Sequence, residues 1–276
     1  MVVSLAATAI GVLGSIIGSF LNVVIFRVPA RRSIVSPPSA CGSCGARIRP
    51  WDNVPVLSWL ILRGKCRDCS AAISSRYPLV EAGTALFFVV VGLVFGPAVA
   101  AADTLAEILS AGLVLVAYLY LASISVALAM IDLDTGRLPN AIVFPAYAVG
   151  AVLLVGAALL GADPVRLVTA AIGAVTLGLL YLVTSLSGAM GFGDVKLAGV
   201  IGFFLGYLGW EQLIVGGAGA FLLGGLFGVA LLVSRRARPK TSVPFGPWML
   251  GGAWLGILAG PSLAAGYLAL FGLGAS

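Results

Sequence analysis

The sequence predicts an all-α polytopic membrane protein of about eight transmembrane helices, interrupted by one small polar module. Three observations predict it. Of the 276 residues, 61% are hydrophobic and only 9% are charged, and the mean hydropathy of +1.13 is far above that of water-soluble domains. Apolar runs of about 18 or more residues recur along the chain, each long enough to cross a bilayer. The apolar–polar alternation of a transmembrane β-barrel is absent from the sequence.

Taken in order, the expected spans cover about 3–26, 79–98, 108–130, 141–161, 167–187, 195–209, 212–234 and 247–272. The first has no Lys or Arg before it and is too long for a signal-peptide core, so it reads as a retained span. The sixth is short and Gly-rich, and its start falls anywhere from about Gly188 onward. These spans divide the chain into a first transmembrane helix (1–27), a polar module (28–78) and a transmembrane core (79–276).

Charge fixes the orientation. Of 16 basic residues, all but Arg166 fall on one side of the eight-span arrangement, including Arg235, Arg236, Arg238 and Lys240 after the seventh span. The other side holds Arg166 with Asp103, Glu107, Asp163 and Glu211. Basic residues collect in cytoplasmic loops, so the module is expected in the cytoplasm and both termini on the far side. The net charge of +6 is thereby topological. No basic patch interleaved with aromatics points to nucleic acid.

Segment 28–78 is rich in Ser, Pro, Arg and Cys and too small to build an adequate core, so it needs a staple. Its four cysteines, the only ones in the chain, form Cys41-Gly42-Ser43-Cys44 and Cys66-Arg67-Asp68-Cys69, with 21 residues between the pairs. That spacing is close to the paired knuckles of structural zinc sites. Redox pairs and unliganded thiols are the alternatives, and a cytoplasmic location disfavours disulfides. Four sulfur ligands leave no position for water, which makes the expected zinc structural; iron suits the same donors. Between the knuckles, Trp51 and Trp59 serve as the small core of the module, as an interfacial anchor, or as part of a substrate or cosubstrate groove.

Only ten acidic residues occur in the chain, yet Asp132 and Asp194 both lie at the ends of apolar segments, at the predicted cytoplasmic face. Carboxylates near hydrocarbon are costly and mark functional sites. Asp194 follows Gly191-Phe192-Gly193, whose glycines permit close backbone approach and unusual dihedrals; a helix-capping role for Asp194 is the alternative. Asp132 and Asp134 point roughly 200° apart on a helix. Asp132 is nearer the apolar end of its span, whereas Asp134 is expected in a polar Asp-Thr-Gly-Arg turn, so Asp132 is preferred as the partner of Asp194. Lys196 either snorkels to headgroups or holds an acidic substrate group and biases the aspartates. Glu81 either pairs with Arg76 or assists at the module. The chain has no histidine, which excludes His-based triads and HExxH metalloproteases.

The motifs taken together resemble the bacterial prepilin peptidases, aspartic proteases of the GxGD type. The resemblance rests on Gly18-Ser19-Phe20-Leu21-Asn22-Val23-Val24 with Arg27-Val28-Pro29, the two CxxC knuckles, Arg76-Tyr77-Pro78-Leu79-Val80-Glu81, Ile131-Asp132-Leu133-Asp134 through Leu138-Pro139, Gly191-Phe192-Gly193-Asp194-Val195-Lys196, and Val243-Pro244-Phe245-Gly246-Pro247. It implies that Asp132 and Asp194 are the catalytic pair, that the leaders of type IV prepilins and pseudopilins are the substrates, and that the site lies at the cytoplasmic face of the bacterial inner membrane. It also implies N-methylation of the new N-terminus with S-adenosylmethionine, for which the sequence carries no Rossmann pattern. Gly191, Gly193, Lys196 and Glu81 are the accompanying candidates for contact with substrate or cosubstrate. Many members have Asp where this chain has Asn140. The rival readings are an ion-coupled transporter, against which the acids stand at one face without repeat halves, and a non-catalytic assembly factor.

Overall fold

A computed structural model describes residues 2–188, 190–234 and 244–272, with the side chains of 2–5 left aside. Among these residues the chain is helical, with α1 Val2–Arg27, α2 Leu57–Ile61, α3 Arg76–Ala100, α4 Leu105–Thr135, α5 Asn140–Leu160, α6 Val165–Leu186, α7 Phe192–Leu208, α8 Trp210–Val233 and α9 Gly246–Leu270. Seven of these are long and apolar enough to cross a membrane. The eighth, α7, has 17 residues, about 25 Å at 1.5 Å per residue. It is buried along most of its length, from Leu197 to Tyr207, as befits a helix apolar on every side. Most of the eight expected spans match these helices to within a few residues. The basic run Arg235, Arg236, Arg238 and Lys240, together with Val243, lies outside the described residues.

Two compact units make up the chain. The first comprises residues 1–101 and 118–127. In it α1 packs on α3 through small residues: a Cβ on Gly14 would meet Phe88 and Ala85, and one on Gly18 would lie 2.7 Å from the Glu81 backbone. Without a hydrophobic drive between helices in lipid, such close backbone approach supplies the packing. Phe95 of α3 stacks on Tyr118 with ring centroids 4.3 Å apart.

Residues 102–117 and 128–276 form the second unit. Thr104 and Glu107 start α4 with a reciprocal capping box, and Gly136, at φ 61°, ends it. The helix thus continues through Asp134, which was expected in the turn: the left-handed residue that stops a helix is Gly136, so Thr135 is the last helical position. Backbones meet where α6 crosses α7 at Gly173–Gly202 and at Thr169–Gly206, and where α8 crosses α9 at Ala220–Gly252. The lone basic residue of the opposite face, Arg166, pairs with Asp163 at 2.7 Å and lies over the Tyr207 ring.

Candidate functional site

Asp132 is buried, at 4% exposure, while Asp134 two positions on is exposed. This is the divergence that a helix through both residues requires. The Asp132 Oδ2 accepts a buried hydrogen bond of 2.9 Å from the backbone N–H of Gly246. Gly246 is the first residue of α9, so the carboxylate sits at the positive end of a helix dipole and satisfies one of its free N–H groups.

Asp194 lies in the first turn of α7. Its Oδ2 accepts 3.1 Å from Gly191 N–H, and its own N–H donates to the Gly191 carbonyl at 3.0 Å. The capping role is therefore real, and it too holds a carboxylate at a helix N-terminus. Asp132 acts electrostatically on Asp194, and Asp194 acts on the neutral Tyr181 hydroxyl.

Leu138 joins the two halves of this arrangement. A Cβ on Gly193 would lie 3.3 Å from Leu138 Cβ, and one on Gly246 would lie 3.2 Å from Leu138 Cδ2 and 2.7 Å from Asp132 Oδ2. The glycines at 193 and 246 are thus matters of space, not of dihedral angle; neither Gly191 nor Gly193 has a positive φ. Behind them Tyr181, Phe221 and Phe245 form an aromatic cluster with centroids 5.2–6.2 Å apart. Sequence reasoning gave Leu138, Gly246 and Tyr181 no role. The signal for the first two was their place in the Leu138-Pro139 and Phe245-Gly246-Pro247 motifs.

Lys196 is half-buried at the start of α7. Its Nζ donates to Asn140 Oδ1 at 3.0 Å and stands over the rings of Phe144 and Phe192. The Tyr147 hydroxyl donates 2.7 Å to the Lys196 carbonyl. Lys196 and Asn140 therefore fasten the start of α7 to the start of α5.

Glu81 belongs to the other unit. It is buried in α3 and accepts 2.7 Å from the Val56 backbone N–H, which ties the polar module to the helix. Val56 has a φ of 61°, a strained conformation for a β-branched residue.

The four cysteines converge. Their sulfurs all lie within 4.8 Å of one another, and Cys41 and Cys69 are 3.8 Å apart. A tetrahedral Zn–S distance of about 2.3 Å sets S···S separations near 3.8 Å, so the donors fit a metal ion. Both knuckles have the same backbone. Cys41 N–H donates to Ala46 and Gly45 N–H to Cys41, while Cys66 N–H donates to Ala71 and Ser70 N–H to Cys66. The turn residues Gly45 and Ser70 have φ of 73° and 60°. The amides of Cys44 and Ser43 bring the Cys41 thiol down to about 6. Cys69 is pushed up to about 12: the Ala71 amide lowers it, but the crowding thiols, Cys44 first among them, outweigh that. A cation that takes all four as thiolates removes this conflict. Arg67 Nε binds both carboxylate oxygens of Asp52 at 2.9–3.0 Å, and Arg49 pairs with Asp68 at 2.9 Å, so each knuckle is also clasped to the segment between them. Trp59 donates to the Ile73 carbonyl at 3.0 Å and packs on Gly64; it is the core tryptophan of the module.

Fold and site define a class: a multi-pass helical membrane protein with two carboxylates at helix N-termini and a four-cysteine module whose sulfurs fit a metal ion. Comparison with known proteins narrows the class. Residues 12–95 match the model of the bacterial peptidase A24 N-terminal domain, and residues 119–229 match that of the type IV leader peptidase family. A prepilin leader peptidase/N-methyltransferase of Pseudomonas putida is 36% identical over 95% of this chain and 93% of its own. Proteins of the same name from Aeromonas salmonicida, 36% identical over 91% and 90%, and Pseudomonas aeruginosa, 34% identical over 94% and 92%, are similarly related. No solved structure matches the chain. The chain belongs to the type IV leader peptidase family.

Proposed function

We propose that this protein is a membrane-embedded aspartic endopeptidase that removes the leaders of type IV prepilins and pseudopilins at the cytoplasmic face of the inner membrane, then N-methylates the exposed residue. Kinship over nine-tenths of the chain with prepilin leader peptidase/N-methyltransferases supports the two activities. The observation that carries the catalytic assignment is that Asp132 and Asp194 each accept from a helix N-terminal N–H, while Leu138 packs against both Gly246, which meets Asp132, and Gly193, which precedes Asp194.

Two neighbouring carboxyls do not readily ionise together, so they share one proton. The charged member takes a proton from water as it attacks the scissile carbonyl. The protonated member donates its proton to that carbonyl oxygen; as the C–N bond breaks, the member that took the water proton passes it to the leaving amine, and the other takes a proton back from the gem-diol hydroxyl. The helix N-termini at Gly246 and Gly191 stabilise the single negative charge without reorganising. Titration belongs to the pair, not to either residue. Gly191 leaves room for an extended substrate strand beside Asp194, Gly193 lets Leu138 pack against the start of α7, and Lys196 positions that start through Asn140.

In this reading, residues 28–78 form a cytoplasmic module and residues 79–276 the peptidase core. Cys41, Cys44, Cys66 and Cys69 would hold zinc, whose contribution is folding of the module and not catalysis. The methyl donor is S-adenosylmethionine, and the module is its place. Its open surface at Ser39, Arg47, Arg49 and Asn53 with Pro38, Ile48 and Pro50 offers both donors and apolar contact to a charged nucleoside. Loss of tritiated methyl transfer to cleaved pilin on deletion of 28–78, with cleavage retained, is the expected result.

Asp132→Asn and Asp194→Asn should each abolish leader cleavage by purified protein while leaving membrane insertion intact. Cleavage by either variant at more than about one-hundredth of the normal rate would end the assignment.

A further inference from the structure

The polar module carries an apolar face that nothing in its own unit covers. Trp51 is 65% exposed, and Val54, Leu57, Leu60 and Ile61 are exposed with it, Ile61 at 76%. These residues are the 3₁₀ turn Pro50–Asn53 and helix α2. Five large apolar side chains clustered on a module this small are not the scattered surface residues of an ordinary domain.

Two further observations say what meets this face. The first is depth. Val56, the residue that opens α2, gives its N–H to Glu81, which lies five residues inside the membrane-length helix Arg76–Ala100. At 1.5 Å per residue that is about 7.5 Å along the helix from its polar end, within the 5–10 Å at which interfacial helices bury their apolar face. The left-handed Val56 on one side of α2 and the left-handed Arg63 beyond its other end fix the direction of this short helix.

The second is charge. Segment 28–78 holds eight basic and two acidic residues, a net of +6; the remainder holds eight and eight. The whole net charge of the chain is in this segment, with Arg63 and Lys65 directly after α2. Anionic headgroups attract such a segment when it lies near the surface.

We propose that Trp51, Val54 and α2 form an interfacial element seated among the headgroups and upper acyl chains of the phospholipid bilayer, with Glu81 setting its depth. The module is then laid against the membrane, not suspended from it. Trp51 is the interfacial aromatic, whereas Trp59 is half-buried and turned to the Ile73 carbonyl within the module.

The test uses the full-length protein in phosphatidylcholine–phosphatidylglycerol vesicles, with phosphatidylcholine brominated at carbons 6 and 7 of one chain. Subtracting the emission of Trp51→Phe from that of the unaltered protein isolates Trp51. Its emission should fall by at least half in the brominated vesicles and stay nearly constant with aqueous iodide. Trp51→Phe with Ile61→Trp should restore the lipid-quenched fraction, which reads the same face independently of position 51. Quenching of both positions by iodide and not by brominated lipid shows a solvated face and overturns the proposal. Quenching by neither shows a face covered by protein, and overturns it equally.

Discussion

Replacing Gly246 by alanine tests the proposed site without touching either aspartate. The added Cβ would stand 2.7 Å from Asp132 Oδ2 and 3.3 Å from its Cγ, where ordinary contact begins near 3.4 Å. The carboxylate or the start of α9 must therefore yield by about 0.7 Å, and the 2.9 Å bond from Gly246 N–H to the same oxygen is strained with it. Displacement of a reacting group on this scale costs about 100-fold in rate. The assay is leader cleavage of a prepilin by purified enzyme, followed by gel mobility, with kcat and KM separated. A fall in kcat of about 100-fold is expected, with little change in KM. Gly251→Ala, on the same helix, meets only Leu223 Cδ1 at 3.5 Å and should be silent. Gly252→Ala, which would run into the Ala220 backbone, should lower the melting temperature instead. If Gly246→Ala cleaves within about threefold of the unaltered protein while Asp132→Asn is inactive, the carboxylate does not depend on the start of α9 as argued.

Asp134→Asn should keep cleavage within a few-fold, because that residue points away from Asp132 across the helix; a loss as deep as that of Asp132→Asn would reverse the choice between them. Cys44→Ser, or prolonged chelation, should release about one metal ion per chain and leave 28–78 open to limited proteolysis, with metal analysis and digestion mapping as the measurements. Glu81→Leu leaves the Val56 N–H without its acceptor and should destabilise the module by about 1–3 kcal/mol. Glu81→Gln, which keeps an acceptor oxygen, should recover much of it, and proteolysis of the α2 segment ranks the three proteins.

The helices were legible because lipid demands long apolar runs whose backbone groups are satisfied within the segment. A glycine two residues beyond Asp134 also fixed the end of α4, but its significance showed only once Gly136 was seen in the left-handed region. The convergence of the four cysteines was legible from their spacing, since a CxxC turn restricts where two sulfurs can point. The module's two knuckles repeat one another's backbone hydrogen bonds, and both read Cys-x-x-Cys-x-Ala-x-Ile, over 41–48 and 66–73. Asp194 showed itself through its glycines, but the expected dihedral freedom was not their use; Gly193 yields space to Leu138, 55 positions earlier in the chain.

By itself the sequence determined the membrane class, the number and order of the long helices and the cysteine staple, and it singled out two acids as out of place in an apolar chain. Each of these follows from local composition or spacing. Only the tertiary structure decided that Asp132 meets the N-terminus of α9, 114 residues away, that Lys196 is fastened to Asn140, and that Glu81 reaches Val56. These contacts depend on which backbones can approach each other, and that is set by glycines facing across helix seams, a condition no single segment contains.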